Sequence, residues 1–364
     1  MKYLAVLGRQ VEISIAELEA LFLKVKKVGN SLAEFESEAG PKIDRLGGSL
    51  KIAKKIDDKV LDFLMAIPDG KITLGISDYS RGASKKTATY SALKLKKILV
   101  RHGRSVRVVE NKEAVLSTAT SLHNGLSGKN ARKVELIKVN DDWYLVVGVQ
   151  DIDAYAKRDQ ARPARDAKVG MLPPKLAQIL INLCGDLPVG STILDPFCGT
   201  GVVLQEALLM GYFAYGTDIN ERMIQYSEKN LEWLMGGQDK FRVTVGDATS
   251  FKWQQPITAV ACEGYLGKPM SLVPPEIKLK TEKQECKAII LGFLTNLSSQ
   301  IEKNTPVVIA IPAWLRESGE YSRLEILDEI EELGYNVMNK SREGLIYARV
   351  GQIVARDIII LRKN

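Results

Sequence analysis

Four acidic residues follow predicted strands in the second half of the chain. Asp195, Asp218 and Asp247 each end a short strand-like run, and Glu263 ends a fourth. Because the carboxyl ends of parallel strands meet along one crevice of an open α/β sheet, we expect these carboxylates to line a binding cleft. Each acid could instead cap the helix that follows it. Three aspartates at successive strand ends favour the binding of a ligand.

The first strand end opens into a turn of small residues. This turn runs from Asp195 to Gly201, and an apolar segment with helical spacing follows it, which predicts a strand, a tight turn and a helix. The glycines let the backbone approach a ligand closely, and the helix N-terminus offers unpaired N–H groups. The third glycine of a dinucleotide site and the lysine of a Walker phosphate site are both missing. A ligand with a ribose, an adenine and a positive centre fits better, which predicts S-adenosylmethionine.

The predicted contacts with this cofactor follow the order of the strands. Asp195 would lie near the aminocarboxypropyl and sulfonium end, and Asp218 would hold the ribose hydroxyls. Asp247 and Ala248 would meet the adenine. The complete predicted set of cofactor-binding residues is Asp195, Pro196, Phe197, Cys198, Gly199, Gly201, Asp218, Ile219, Asp247 and Ala248.

Basic charge is concentrated in the N-terminal half. The 364 residues have a formal net charge of +7, and residues 71–110 contain ten lysines and arginines against two acids. Many of them lie on a predicted helix, residues 84–101, whose apolar residues, including Tyr90 and Leu93, we expect to face inward. Because acids that could pair along this helix are nearly absent, the positive surface favours contact with nucleic-acid phosphates. The predicted RNA-binding residues are Lys85, Lys86, Lys94, Lys96, Lys97, Arg101 and Arg104.

Composition argues against several other classes of protein and site. The four cysteines form no CxxC pair and there are two histidines, so we predict reduced thiols and no metal site. No apolar run approaches the roughly 18 to 20 residues of a membrane span, and the N-terminus is typical of a first strand. We therefore expect a cytoplasmic protein without a membrane partner, either a monomer or a homodimer.

The alternation of predicted elements divides the chain into four parts. Residues 1–65 are predicted to form a small α+β unit, and residues 66–155 follow the order βαβαββ. Residues 156–168, which include Arg162, Asp166 and Lys168, form a charged connector, whose arginines could either solvate a linker or line a substrate cleft. Residues 169–364 alternate strands with helices and end in an antiparallel strand pair, which predicts an α/β doubly wound fold.

Three motifs carry a resemblance to a known family. They are Asp195–Gly201, Gly216–Asn220 and Gly246–Ala248. Together they resemble the motifs of class I methyltransferases of the tRNA guanosine-10 N2-methyltransferase group. The N-terminal half is similar to that family's ferredoxin-like unit and THUMP domain, an RNA-binding module. The resemblance implies a seven-stranded Rossmann-like domain, S-adenosylmethionine as the cofactor, and N2-methylation of a guanosine in tRNA gripped by the THUMP domain.

The fourth strand end departs from that family's Asp-Pro-Pro-Tyr motif. In the family, the acid and a backbone carbonyl accept hydrogen bonds from the exocyclic amine, and the tyrosine stacks on the target base. Here the chain reads Cys262-Glu263-Gly264-Tyr265. If Glu263 replaces the aspartate, the acid is kept and the aromatic residue is shifted; if Tyr265 is aligned, Cys262 replaces the acid. We prefer the first alignment, which predicts Glu263 and Tyr265 as catalytic residues that offer an acceptor and a stacking face.

Two other functions are compatible with the same residues. Loss of methylation at the altered fourth motif would leave a non-catalytic protein that binds tRNA or another RNA. The same order of motifs also serves adenine and cytosine amines, which makes a DNA amino-methyltransferase the third interpretation. The resemblance to a THUMP domain favours RNA over DNA.

Overall fold

The computed structural model describes residues 1–57, 59–165, 171–236, 240–341 and 343–364. Within these residues the chain forms two compact units, Met1–Ala154 and Tyr155–Asn364. The four-part division made from the sequence stays a prediction. Part of the predicted connector, with Asp166 and Lys168, and the predicted start of the last domain at residue 169 lie outside the described residues.

The first unit is an α+β structure built on one mixed sheet. Its strands are β1 (Lys2–Leu7), β2 (Leu23–Gly29), β3 (Leu32–Glu36), β4 (Ser49–Lys55), β5 (Ile72–Asp78), β6 (Val106–Val108), β7 (Lys133–Val139) and β8 (Asp142–Val149). Its helices are α1 (Val11–Leu21), α2 (Val60–Met65), α3 (Lys85–Arg101) and α4 (Thr118–His123), and α5 (Ile152–Gln160) contains the boundary to the second unit. The strand order is β2-β3-β1-β4-β8-β7-β5-β6. The antiparallel pairing of β4 with β8 therefore joins the two parts predicted at 1–65 and 66–155 into one sheet.

Helix α3 is set by its N-cap and by a narrow apolar stripe. The Ser84 hydroxyl accepts the Thr87 N–H, and the Thr87 hydroxyl accepts the Ser84 N–H, which forms a capping box. The buried residues of the helix are Ala88, Ala92, Leu95 and Leu99. The predicted inward orientation of Tyr90 and Leu93 is wrong, because these side chains are 68% and 52% exposed. Tyr90 lies two residues after Ala88, roughly 200° around the helix, and so points away from the stripe.

The second unit is a doubly wound α/β domain. Its strands are β9 (Thr192–Asp195), β10 (Phe213–Asp218), β11 (Phe241–Val245), β12 (Ala259–Glu263), β13 (Pro306–Leu315), β14 (Tyr321–Arg323), β15 (Tyr335–Val337), β16 (Ile346–Tyr347) and β17 (Val354–Lys363). Its further helices are α6 (Pro174–Asn182), α7 (Val202–Leu209), α8 (Glu221–Met235), α9 (Glu276–Ser298) and α10 (Leu327–Glu332).

The main sheet of this unit has the order β11-β10-β9-β12-β13-β17-β15, with β14 and β16 paired outside that path. Pairing is parallel from β11 through β13, whereas β17 runs antiparallel to both β13 and β15. The predicted α/β class with a seven-stranded Rossmann-like sheet and an antiparallel terminal strand is confirmed.

The strand order places a ligand crevice at β9. The chain moves from β9 to β10 on one side and later to β12 on the other, so the connections diverge at the carboxyl end of β9. Ile193 and Leu194 are fully buried before Asp195 ends the strand, and Cys262 is fully buried before Glu263 ends β12. The two acids are therefore the points where neighbouring strands leave the core. No helix among the described residues combines the length and apolar character that crossing a membrane requires.

Candidate active site

The turn between β9 and α7 depends on two glycines in the left-handed region. Gly199 has a φ of +50° and Gly201 a φ of +81°. A Cβ atom on Gly201 would also lie 2.9 Å from the Ser227 hydroxyl oxygen. The Cys198 N–H donates to the Thr217 carbonyl at 2.9 Å, which fastens the turn to β10. Together these contacts bring the turn against the end of β10, where Asp218 lies.

Asp195 and Asp218 are both held by backbone donors. An Asp195 oxygen accepts the Phe197 N–H at 3.1 Å. The two Asp218 oxygens accept the Asn220 N–H and the Gly199 N–H, each at 2.9 Å. Helix α7 has Gly201 and helix α8 has Asn220 as its N-cap residue, so neither Asp195 nor Asp218 caps the helix that follows it, and the capping interpretation is wrong for these two acids. A carboxylate has about four acceptor positions, so these bonds orient the acids and leave capacity for a ligand.

The carboxyl end of β11 is more exposed to solvent than the carboxyl ends of β9 and β10. Asp247 is exposed, and one of its oxygens accepts the Thr249 N–H at 2.9 Å and the Thr249 hydroxyl at 2.7 Å. Ala248 is 4% exposed, so it offers a neighbouring ligand little besides its backbone. Ile219, after Asp218, is 70% exposed and presents an apolar surface. Ile219, predicted as a cofactor-binding residue, is thus an accessible apolar side chain near these strand ends.

One cleft brings the turn and the fourth strand together. Most of the turn from Asp195 to Thr200 lines it, together with Glu263 and the apolar side chains of Met171 and Met223. Asp218, Asp247 and Tyr265 are not among the residues that line this cleft. The structure thus joins the predicted cofactor turn to the predicted catalytic acid.

The cleft is electrostatically unfavourable for anions near Asp195. This side chain is 2% exposed, and burial raises its pKa well above the usual range, with the charges of Asp218 and Glu263 adding to the effect. The Phe197 N–H opposes the shift by stabilising the carboxylate. Because each negative charge destabilises the others, a cationic group bound here would be stabilised by all three.

Glu263 is paired with an arginine from the antiparallel strand. Arg356 Nε donates to a Glu263 oxygen, and the arginine side chain is 2% exposed while that of Glu263 is 19% exposed. Burial raises the pKa of Glu263, and the Arg356 charge opposes that rise. The Gly264 N–H donates to the Ala310 carbonyl at 2.9 Å, so the strand end is fixed on its other side as well. Arg356 therefore both orients Glu263 and favours its ionised form.

Tyr265 is directed toward helix α9. Its hydroxyl donates to a Glu285 oxygen at 3.0 Å, and Lys268 forms an ion pair with the same carboxylate at 3.3 Å. Burial, with the contact to Glu285, raises the pKa of Tyr265 to about 12. The ring is partly buried against the core of the unit. Its role in stacking on a base stays a prediction, and in this structure Glu263 alone of the predicted catalytic pair reaches the cleft.

Six of the seven predicted RNA-binding residues lie on α3 in the first unit. Five of them are exposed and Lys96 is partly buried. Lys96 and the half-exposed Leu93 line an open groove beside the short strand β6. Arg107 on β6 and Lys71, which directly precedes β5, also line this groove. The exposed Tyr90 lies on the same helix. This helix surface combines positive charge with exposed apolar and aromatic side chains, which suits a nucleic acid with unstacked bases.

Arg104 differs from the other six. Its guanidinium donates to the Met65, Ile67 and Pro68 carbonyls at 2.9, 2.6 and 3.0 Å. These bonds engage its donors at the end of α2 and leave the side chain only partly accessible. Arg104 therefore serves the structure of the first unit, and we do not include it in an RNA-binding surface.

Several residues of the cleft escaped the sequence analysis. Arg356 reaches Glu263 because β17 inserts next to β13, and a local pattern does not specify that register. Met171 and Met223 are apolar residues at ordinary helical or loop positions. Arg162 donates to the Thr200 hydroxyl of the turn, and the sequence leaves open whether the arginines of the connector solvate a linker or line a substrate cleft. Among the described residues, His, Cys, Asp and Glu side chains do not gather in groups of three that could hold a metal ion.

Residues 162–268 match the model of a family described as an RMKL-like methyltransferase domain. The chain is 31% identical over 159 residues to a tRNA (guanine(10)-N2)-dimethyltransferase of Methanothermobacter thermautotrophicus, covering 43% of this chain and 44% of that protein. It is 32% identical over 193 residues to the enzyme of the same name from Pyrococcus abyssi, covering 52% and 49%. The matches thus span about half the length of these relatives.

The match to a solved structure extends over the whole chain. The crystal structure of TrmN from Thermus thermophilus covers 100% of both chains with a TM-score of 0.50 and 15% identity. At that identity the likeness shows the fold alone. The resemblance to tRNA guanine-N2 methyltransferases that the motifs predict is confirmed by the sequence matches, whereas the resemblance to a THUMP domain stays a prediction.

Proposed function

We propose that this chain, whose second unit carries an RMKL-like methyltransferase domain, transfers a methyl group from S-adenosylmethionine to the N2 amine of a guanosine in tRNA. The observation that carries the proposal is the single cleft shared by the glycine turn with Asp195 and by Glu263 at the end of β12. The names of the curated relatives supply the substrate class.

The residues present fit the proposed cofactor. S-adenosylmethionine, when bound, supplies an electrophilic methyl group on a positively charged sulfur. The buried Asp195, beside two other carboxylates, provides the negative potential that a sulfonium or ammonium group needs. Asp218 retains acceptor positions for ribose hydroxyls, and the exposed Ile219 offers an apolar surface to an adenine. Asp247 completes the proposed set at the end of β11.

Glu263 is the proposed catalytic residue. The lone pair of a guanine amine is delocalised into the ring, so the nitrogen is a weak nucleophile. A carboxylate that accepts a hydrogen bond from this amine concentrates electron density on nitrogen and can take up the proton released on methylation. Arg356 is a positioning residue, because its contact with Glu263 favours the ionised acceptor that this chemistry requires. Tyr265 is retained as a proposed contact of the substrate base.

RNA binding is assigned to the first unit. The proposed contacts are the exposed cations of α3, with Lys96 at the groove beside β6. Phosphates would meet the lysines, and the exposed Tyr90 would offer a stacking face to a base. The proposed THUMP-like module occupies residues 66–155. A cytoplasmic location goes with this proposal, and the four cysteines are free and buried.

Radiolabelled methyl transfer to bulk tRNA tests the proposal. The variants are Glu263→Gln, which keeps the size of the side chain, and Glu302→Gln as a matched control at an exposed carboxylate that precedes β13, outside the cleft. We expect Glu263→Gln to lower the rate about 10²- to 10⁴-fold, as for loss of a general base, and Glu302→Gln to change it little. Unchanged transfer by Glu263→Gln would contradict the catalytic assignment.

A non-catalytic RNA-binding protein is the second candidate. The ion pair between Glu263 and Arg356 and the contact between Tyr265 and Glu285 favour it, because both predicted catalytic side chains have partners within the fold. Tight binding of tRNA without turnover on tRNA or duplex DNA would support this candidate. Transfer to duplex DNA in preference to tRNA would instead support a DNA amino-methyltransferase.

A further inference from the structure

A buried arginine contacts two of the residues that line the proposed cofactor cleft. Arg162 is 3% exposed, and arginine is rarely buried without a partner. Its Nη1 donates to the Thr200 hydroxyl at 3.4 Å, and its Nη2 approaches the Met171 sulfur at 3.4 Å. Thr200 and Met171 both line the cleft that contains Asp195 and Glu263.

Among the residues that the structure describes, the Arg162 guanidinium has fewer acceptors than its donors need. A guanidinium carries five N–H groups, and one of the two contacts above is to a thioether, which is a weak acceptor. The Nε atom is buried and has no hydrogen-bond partner in the described part of the chain. A buried cation with unpaired donors is unfavourable, because it has lost water and gained little in exchange. The site therefore suits an additional acceptor that carries negative charge.

The nearby acids within the described part of the chain do not fill this role. Glu206 is bound by Arg158, whose Nε and Nη2 donate to its two oxygens at 2.7 and 3.3 Å. Asp159 and Glu206 act on Arg162 through space, but burial outweighs them and lowers the pKa of the guanidinium. The positive charge at Arg162 is thus only partly compensated by the described residues around it.

We infer that Arg162 binds the carboxylate of the aminocarboxypropyl group of S-adenosylmethionine. The inference rests on the proposed function, since it assigns a residue to the cofactor proposed there. That group carries an ammonium and a carboxylate close together beside the sulfonium. The carboxylates at Asp195 and Glu263 match the two positive centres, and the planar fork of Arg162 next to the Thr200 hydroxyl matches the carboxylate.

Calorimetric titration of the full chain with two ligands tests the assignment. The first ligand is S-adenosylhomocysteine, and the second is decarboxylated S-adenosylmethionine, which keeps the amine and lacks the carboxylate. The variants are Arg162→Met, Arg162→Lys and the matched control Arg165→Met. Arg165 lies in the same segment, is exposed and donates to the Gln160 carbonyl at 3.2 Å.

We expect Arg162→Met to weaken binding of S-adenosylhomocysteine about 10- to 100-fold, the range for a hydrogen bond to a charged group. Binding of the decarboxylated ligand should stay as in the unsubstituted protein. Arg162→Lys should give an intermediate loss that again appears only with the carboxylate ligand, and Arg165→Met should change neither affinity.

An equal loss for both ligands would overturn the inference, because Arg162 would then order the turn at Thr200 without contacting the carboxylate. If Arg162→Met fails to fold in a melting experiment, the same comparison of ligands in Arg162→Lys decides in the same way. An unsubstituted protein that binds neither ligand would contradict the proposed function itself. The two failures are therefore distinguishable.

Discussion

Two buried cations, one in each unit, differ in how well the protein satisfies them. In the first unit, Lys51 Nζ donates to the Leu116 carbonyl at 2.8 Å, to the Ser121 hydroxyl at 2.9 Å and to a Glu135 oxygen at 2.5 Å. Each hydrogen of the ammonium group therefore has an acceptor. In the second unit, Arg162 is as deeply buried, but its Nε has no partner among the described residues.

The acidic residues in the same two regions differ in the same way. Glu135 is fully buried, and its oxygens also accept the Ser77 and Ser121 hydroxyls, each at 2.6 Å. Asp195 is nearly as buried and lies near other carboxylates. A complete set of partners indicates that a buried charge has a structural role, whereas an incomplete set at a cleft indicates a place for a ligand.

The largest effect on stability is expected at the ion pair between Lys51 and Glu135, whose donors and acceptors all have partners. Replacing Lys51 with methionine leaves Glu135 buried without its cation, so we expect the free energy of unfolding to fall by about 3 to 5 kcal/mol. Denaturant unfolding measures this change, with the exposed Lys54 of the same strand replaced by methionine as the control. Arg162→Met should destabilise the protein far less. Equal losses of stability at Lys51 and Arg162 would remove the contrast between the two units.

A second effect concerns Arg356, a buried cation of the second unit that is paired with the carboxylate of Glu263. The carboxylate form of Glu263 is needed as an acceptor, so activity should be lost as the pH falls through the pKa of Glu263, which burial has raised. Arg356→Met removes the charge that opposes this rise. We expect the acidic limb of the kcat/KM profile to move to higher pH by about one unit or more.

Two variants on the same strand make the pH measurement specific. Arg356→Lys should restore part of the profile, since it returns a positive charge without the planar fork. Arg362→Met, also on β17, should leave the acidic limb in place. A limb that does not move in Arg356→Met would show that Glu263 is not the group being titrated.

The smallest effect per residue is expected on the exposed surface of the first unit. Lys94→Met combined with Lys97→Met should weaken tRNA binding severalfold and reduce the slope of log affinity against log salt by about one per lysine. The control is Lys26→Met on β2, an exposed lysine at the opposite edge of the sheet from β6. Binding that depends equally on Lys26 would indicate a diffuse electrostatic attraction without a defined surface.

The sequence was most informative where function depends on local backbone shape. The turn from Asp195 to Gly201, the acids at successive strand ends and the alternation of strands with helices all follow from short-range patterns, and these predict the sheet of the second unit. The contact between Arg356 and Glu263 could not be predicted in this way, because it depends on the register of β17 against β13. Tyr265 is oriented by Glu285, 20 residues further along the chain.

The predicted burial of Tyr90 and Leu93 on helix α3 is wrong for a related reason. Apolar character alone assigned Tyr90 and Leu93 to the core, but the small residues Ala88 and Ala92 define the buried stripe. The lack of a hydrogen-bond partner at Arg162 Nε could not be predicted from the sequence either. Whether a buried charge finds its partners depends on the packed structure and not on a sequence segment.

The most direct test of the account identifies the methylated nucleoside. Bulk tRNA is incubated with the purified protein and S-adenosylmethionine, digested to nucleosides and analysed by mass spectrometry, with Glu263→Gln in parallel. We expect N2-methylated guanosine from the unsubstituted protein and little or none from the variant. Methylated adenosine or cytidine, or no methylated product from a protein that binds both cofactor and tRNA, would contradict it.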